Sequence, residues 1–362
     1  MNRRSFLTGS LSLTALPLAR PAAAAESIRV GYLGPQTGIF AQAGKDMLDG
    51  LKLAFEQVNY QAGGRKVELI EEDTEGNPAT AQAKYRKLVQ QDKIHVLTGV
   101  LLSNIGYALV QPIERDTLPA LFLTTPDDLT KRKLTKWILR TNFSASQPMH
   151  ALGDYAAKTL KYRRVAVVAM DNPFGHECSG GFQRVFEDAG GRVVQKIWVP
   201  LNALDFAPYL TQLPRDIDAV VQVFVAAQAV RFAKQYAEQG LKERLPLIGI
   251  GVFTDESALR SMGDEAIGIV TSLIWAPTLP TPANQTFMKL AEAKGKNPPA
   301  YFTAVMYSAA AGSARRRTRS RARSKTAHAS WPRSAGRARP RRIREGPSRS
   351  TSTAIPRRTS TS

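Results

Sequence analysis

Cysteine is almost missing from this 362-residue chain, with Cys178 the single thiol. One cysteine excludes an internal disulfide, so stability has to come from packing, and a body of about 290 residues is long enough for a core or two. Histidine is scarce as well: the four residues, at positions 95, 150, 176 and 328, have no spacing that suits a metal ion. No apolar run reaches the roughly 20 residues that a bilayer span requires. The signatures G-x-x-x-x-G-K-[ST], G-x-S-x-G and H-E-x-x-H are absent, and His176-Glu177-Cys178 lacks the second histidine one turn later. Acid pairs such as Glu71-Glu72 and Asp127-Asp128 are sequence neighbours, which point apart on a strand. Catalysis therefore has no candidate constellation, and neither a cofactor nor a metal is expected.

The formal net charge of +20 suggests a polyanion partner, but the charge is unevenly placed. Residues 313–362 hold 16 of the 50 Lys and Arg against one acid, Glu345, with few apolar side chains. Glu26 to Gly312 is nearly neutral, with 31 basic and 29 acidic residues. The tail is rich in Arg, Ser, Thr, Ala and Pro, the usage that GC-rich codons give when read out of frame. Back-translation of Arg349 to Ser362, shifted to the third base of its first codon, allows VDEYGNPAENVYI, a strand, an acidic turn and another strand. The tail is expected to be an out-of-frame, disordered, low-complexity segment, and no nucleic-acid partner is expected.

Residues 1–25 read as an export signal: a basic start, an apolar run from Phe6 to about Leu18, and small residues Ala23 and Ala25 before Glu26. Arg3-Arg4 followed by Phe6-Leu7 resembles a twin-arginine signal. A periplasmic location follows.

Between these ends, apolar runs alternate with helical patterns, which predicts βα units and a mainly parallel sheet. Ile28–Leu33, Val67–Ile70, Val96–Val100 and Ala120–Leu123 read as strands of a first lobe, with Met47, Leu51, Phe55 and Val58 at helical spacing. After the extended Trp137–Asn142, the alternation restarts with Val165–Met170, Val193–Val199, Ala219–Val225, Leu247–Ile250 and Ile269–Leu273. Helical Asn284–Lys294 and Tyr301–Ala311 are best returned to the first lobe. The expected fold is α/β: two Rossmann-like lobes, 26–141 plus 276–312 and 142–275, joined by a hinge.

The stretches IRVGYLGPQTGIFAQAGKDMLDGLKLAFEQVN, EEDTEGNPATA, LTGVLLSN, VAMDNPFGHE and WAPTLPTPANQTFMKLAEAKGKNPP together resemble the type I periplasmic solute-binding proteins of ABC importers. Within that family the likeness is to the branched-chain amino-acid group and its aromatic-acid relatives. The resemblance implies a ligand held between the lobes and delivered to a membrane permease by a monomer. It implies Leu102, Ser103 and Asn104 at the ligand's acid group, Thr124 and Thr125 as hydroxyl donors, and Phe174, Phe224 and Phe40 against its apolar face. Ser103 as a plain helix N-cap, the threonines as turn residues and the phenylalanines as core remain alternatives. Amino-acid binders of the family place an acid after the strand that corresponds to Leu247-Ile248-Gly249, whereas this chain reads Ile250-Gly251-Val252-Phe253. A small apolar or aromatic carboxylate without an ammonium group therefore fits better. A branched-chain or other hydrophobic amino acid is the alternative ligand, and a sensory ligand-binding module the alternative role.

Overall fold

The computed structural model describes residues 26–132, 135–295 and 298–312. The expected signal peptide and basic tail lie outside them. Two sheets are built around central runs whose apolar residues are buried on both faces, as parallel strands covered by helices require. The first has the order β2-β3-β1-β4-β5-β6, formed by β1 (Ile28–Gly34), β2 (Gln61–Ala62), β3 (Arg65–Asp73), β4 (Val96–Thr98), β5 (Ala120–Phe122) and β6 (Ile138–Arg140). All its pairings are parallel except β2 with β3, a short antiparallel edge made by a Gly63-Gly64 turn in which both residues have positive φ. Only glycine adopts that conformation without strain.

The second sheet, ordered β11-β10-β9-β7-β8, is parallel throughout. It contains β7 (Arg164–Met170), β8 (Arg192–Val199), β9 (Ala219–Val223), β10 (Leu247–Ile250) and β11 (Val270–Ser272). Helices α1 (Ala41–Glu56), α2 (Pro78–Gln90) and α3 (Ser103–Asp116) cover the first sheet; α4 (Ser146–Lys158), α5 (Pro173–Asp188), α6 (Ala207–Leu210), α7 (Ala226–Glu238) and α8 (Glu256–Leu259) belong to the second. Helices α9 (Pro282–Glu292) and α10 (301–312) follow. Local chemistry sets the helix starts. Asn77 accepts from the amides of Ala79 (2.8 Å) and Thr80 (3.2 Å) at the head of α2, with Pro78 in the first turn.

Helix α10 packs on α1 of the first sheet. An added Cβ at Gly50 would lie 2.2 Å from the Thr303 carbonyl oxygen, so only glycine lets the two backbones approach this closely. From this seam the apolar core continues without a break, through Met47, Tyr301 and Phe302 to Phe143, Phe182 and Val221 beneath the second sheet.

Candidate functional site

In each sheet the strand order reverses once, between β1 and β4 in the first and between β7 and β9 in the second. Loops leaving the carboxyl ends on either side of such a reversal diverge and open a crevice. Here the two crevices meet in one cleft. From the first sheet come Leu101, Leu102 and Ser103 after β4, Thr125 after β5, and Asn142 and Phe143 after β6; from the second come Met170, Asn172 and Phe174 at the β7–α5 junction, Val225 after β9 and Val252 after β10. Ala43 and Phe302 complete the wall.

The two ends of this cleft differ chemically. Helix α3 follows Leu102, which has no side chain able to cap it, so the Ser103 and Asn104 amides of the first turn keep hydrogen-bonding capacity and the positive end of the helix dipole. Ser103, the first residue of that turn, and Thr125 place buried hydroxyls beside it. This combination favours an anion. Helix α5 is capped by Asn172, whose Oδ1 accepts from the Gly175 amide at 2.9 Å, which leaves its Nδ2 hydrogens for the cleft.

Behind the polar end, Arg140 donates to the carbonyls of Pro126 (2.6 Å) and Thr125 (3.3 Å) and to the Thr130 hydroxyl, bracing the loop that carries Thr125. Burial lowers this guanidinium's pKa, and the charges of Asp127 and Glu177 oppose that effect. Asn142 donates to the Leu123 carbonyl (2.9 Å) and accepts from the Phe143 amide (2.9 Å) and the Tyr301 hydroxyl (2.5 Å), so one side chain ties β5, the crossing after β6 and α10 together. Burial drives the Tyr301 pKa far above its usual value and keeps the hydroxyl a donor.

No charged side chain lines the cleft among the described residues. On the β10 side the wall is Val252, and Phe253 is fully buried in the core. Asp255, the first acid after β10, spends one oxygen on capping α8, accepting from the Ala258 amide (2.9 Å) and the Ser257 hydroxyl (2.8 Å). Burial raises its pKa.

Of the eight residues that the sequence proposed, the structure brings Leu102, Ser103, Thr125 and Phe174 to the cleft and places the other four elsewhere. Phe224 continues β9 with its ring turned under α7, 4.6 Å from Phe232 and edge-on to Phe206 at 5.3 Å; the alternation of an extended chain hands the cleft position to Val225. The same parity separates the threonines. Thr124 is wholly buried against Gly106 of α3, and Thr125 faces the cleft. Phe40 is core beside Leu102, and the Asn104 carboxamide accepts from the Ile105 amide at 3.0 Å, inside its own helix. Ser103 is the first residue of α3 and not its cap, the position held by Leu102.

Sequence reasoning missed Asn142, Asn172, Val225, Val252 and Phe302 as cleft residues. Asn172-Pro173 was legible as a helix start and Val225 through strand parity. Phe302 arrives from a distant helix, and nothing local to it signals the cleft.

Residues 27–318 match the family model described as periplasmic binding protein. The chain is 28% identical over 295 residues to Leu/Ile/Val-binding protein homolog 6 of Brucella suis, spanning 80% of this chain and 75% of that one. An ABC transporter substrate-binding protein from Sphaerobacter thermophilus is 34% identical with a TM-score of 0.73, covering 79% of both chains. A solute-binding protein of an R. palustris ABC transporter, solved with benzoate, is 29% identical with a TM-score of 0.75, again over 79% of both.

Proposed function

The chain belongs to the periplasmic binding protein family, as a substrate-binding protein of the ABC-importer type, and we propose that its ligand is a small aromatic or apolar carboxylate, benzoate being the simplest. The observation that carries this reading is the asymmetry of the cleft. An anion-favouring end, made by Ser103, Thr125 and the uncapped start of α3, faces walls of Phe174, Val225, Val252 and Phe302 with no carboxylate among them. An amino acid would bring an ammonium group into this cleft, and a buried cation without a partner costs several kcal/mol. Benzoate asks for donors at one end and apolar contact elsewhere, and the R. palustris relative solved with benzoate supports it.

Titration calorimetry and thermal-shift assays with benzoate and leucine test the proposal. Benzoate is expected to bind and raise the melting temperature, while leucine leaves it unchanged. Ser103→Ala removes one hydrogen bond to a charged group, worth about 1.5–3 kcal/mol, and is expected to weaken benzoate binding by ten-fold or more. Leucine binding without benzoate binding overturns the reading and favours the branched-chain amino-acid alternative, which the Brucella relatives support.

The rest of the proposal concerns the cycle. Residues 26–141 with 276–312 form one lobe and 142–275 the other; the two close on the ligand, because a solute touching both lobes shifts the population toward the closed form. The protein acts as a monomer, reaches the periplasm through the twin-arginine route and hands its ligand to a membrane permease. The packing of α10 on α1 supports the return of the late helices to the first lobe.

A further inference from the structure

Outside the cleft, one side chain of the second sheet's α5 reaches a helix and a loop of the first sheet through its two oxygens. Glu177 lies on α5, after β7 of the second sheet. Its Oε1 accepts from the Tyr107 hydroxyl on α3 at 2.9 Å, and its Oε2 accepts from the Asp127 amide, in the loop after β5, at 2.7 Å. Both donors belong to the first sheet's side of the cleft. The Tyr107 oxygen in turn accepts from the Asp128 backbone amide, so the turn that begins at Asp127 offers its first two N–H groups to this pair. Arg140 holds the carbonyls of the same loop from behind.

The placement ties this cluster to the ligand. Tyr107 is four residues beyond Ser103 on α3, and Glu177 three beyond Phe174 on α5, so each shares a helix face with a cleft residue one turn nearer the amino end. The two helices approach each other there, and any opening that parts their amino ends also parts Tyr107 from Glu177. Burial pushes the Glu177 carboxyl's pKa up while its two donors pull it down. A half-buried carboxylate with two donors is stable only while both lobes supply their groups.

We infer that Glu177, Tyr107 and the Asp127 amide form an interlobe clasp that holds the cleft shut and thereby sets the ligand's residence time, without touching the ligand. These are positioning residues: they raise the fraction of closed protein, and apparent affinity scales with that fraction. The inference rests on the cleft being one that opens and closes, and it is independent of which ligand enters.

The test uses the full chain and the variants Tyr107→Phe, Glu177→Ala and the double variant. In the absence of ligand, small-angle scattering is expected to give a larger radius of gyration for each variant than for the parent. With benzoate as probe, stopped-flow displacement is expected to show dissociation accelerated about ten-fold in Tyr107→Phe. The double variant is expected to be no faster than Glu177→Ala, since the Tyr107 hydroxyl acts through that carboxylate. Unchanged scattering with unchanged dissociation in Tyr107→Phe overturns the clasp, and so does strict additivity in the double variant. Tyr107→Phe, which removes a single oxygen, decides the matter should Glu177→Ala fail to fold. A parent that ignores benzoate refutes the ligand proposal alone, because the scattering comparison still reads the clasp.

Discussion

At the scale of single residues, the buried acids on the far side of the cleft wall have a pH signature. Asp46, on α1, has its pKa pushed up to about 6, first by burial and then by the Asp255 charge; its bond from the Gln42 side chain (3.0 Å) opposes this only in part, and its Oδ2 has no partner. Burial likewise pushes Glu256 up to about 7. A carboxyl whose folded pKa lies above its unfolded value of roughly 4 favours folding when protonated, and that contribution is lost as pH rises from about 4 to the folded value, about 6 for Asp46 and about 7 for Glu256. Carboxylates with lowered values, such as Asp73 and Asp127, act in the opposite sense, but their loss falls at more acid pH. Asp46→Asn is therefore expected to raise stability at pH 7.5 by about 1–2 kcal/mol, and to flatten its dependence between about pH 4.5 and 7.5. Urea melts at those two values measure it, and a variant that is weaker at pH 7.5 with an undiminished slope refutes the assignment.

At the scale of elements, the seam between α1 and α10 decides a substitution whose sign helix propensity alone would get wrong. Glycine to alanine inside a helix ordinarily gains about 1 kcal/mol. At Gly50 the new methyl would sit 2.2 Å from the Thr303 carbonyl oxygen and 3.0 Å from the Tyr307 nitrogen, both backbone atoms that cannot step aside. Gly50→Ala is expected to destabilise by about 2 kcal/mol or more by forcing α10 off α1, a loss that denaturant unfolding would show. A stabilised variant would mean that the seam is looser than described. Asn172→Ala is smaller in effect: loss of the α5 cap costs about 1 kcal/mol. Elements of this kind were legible because the pattern is local. The apolar runs of β1, β4, β7, β9 and β10 declare strands without reference to the rest of the chain, and Asn77-Pro78 and Asn172-Pro173 declare helix starts. The cleft was half legible for the opposite reason. Which of Thr124 and Thr125, or Phe224 and Val225, turns outward depends on the parity with which a strand leaves its sheet, and Phe302 enters from a helix some 200 residues beyond Ser103. The two-residue β2 is too short to leave an apolar period.

At the scale of the whole molecule, closure and completeness meet in the first lobe. Besides the cleft, this lobe carries an apolar trough bounded by α1, α10 and the strands β1, β3, β4 and β5; Val30, Leu51, Phe55, Val67, Leu121 and Met306 line it, with His95 and Thr98 its main polar groups. Ala310, near the end of the last described helix, is part of its wall. Most of its lining is already buried, Val30, Leu51, Val67 and Met306 among it, so what the trough lacks is packing partners, which chain seated in it would supply. The Arg- and Ser-rich composition of 313–362 offers few side chains suited to that work, whereas the shifted reading that allows VDEYGNPAENVYI ends in the apolar run VYI, of the kind that packs into such a trough. We therefore expect a chain carrying the shifted reading after Gly312 to be more soluble, to bind less of an apolar dye and to melt several degrees higher, since about 1 kcal/mol moves the midpoint of a domain this size by roughly 2–4 °C. Its benzoate affinity is expected to rise as well, because a firmer first lobe holds Ser103, Thr125 and Tyr107 in register for closure. Parallel expression of the two versions, with dye binding, melting and calorimetry on each, makes the comparison. Equal melting temperatures and equal dye binding would show that the trough is tolerated as it stands and that the basic tail belongs to the working protein.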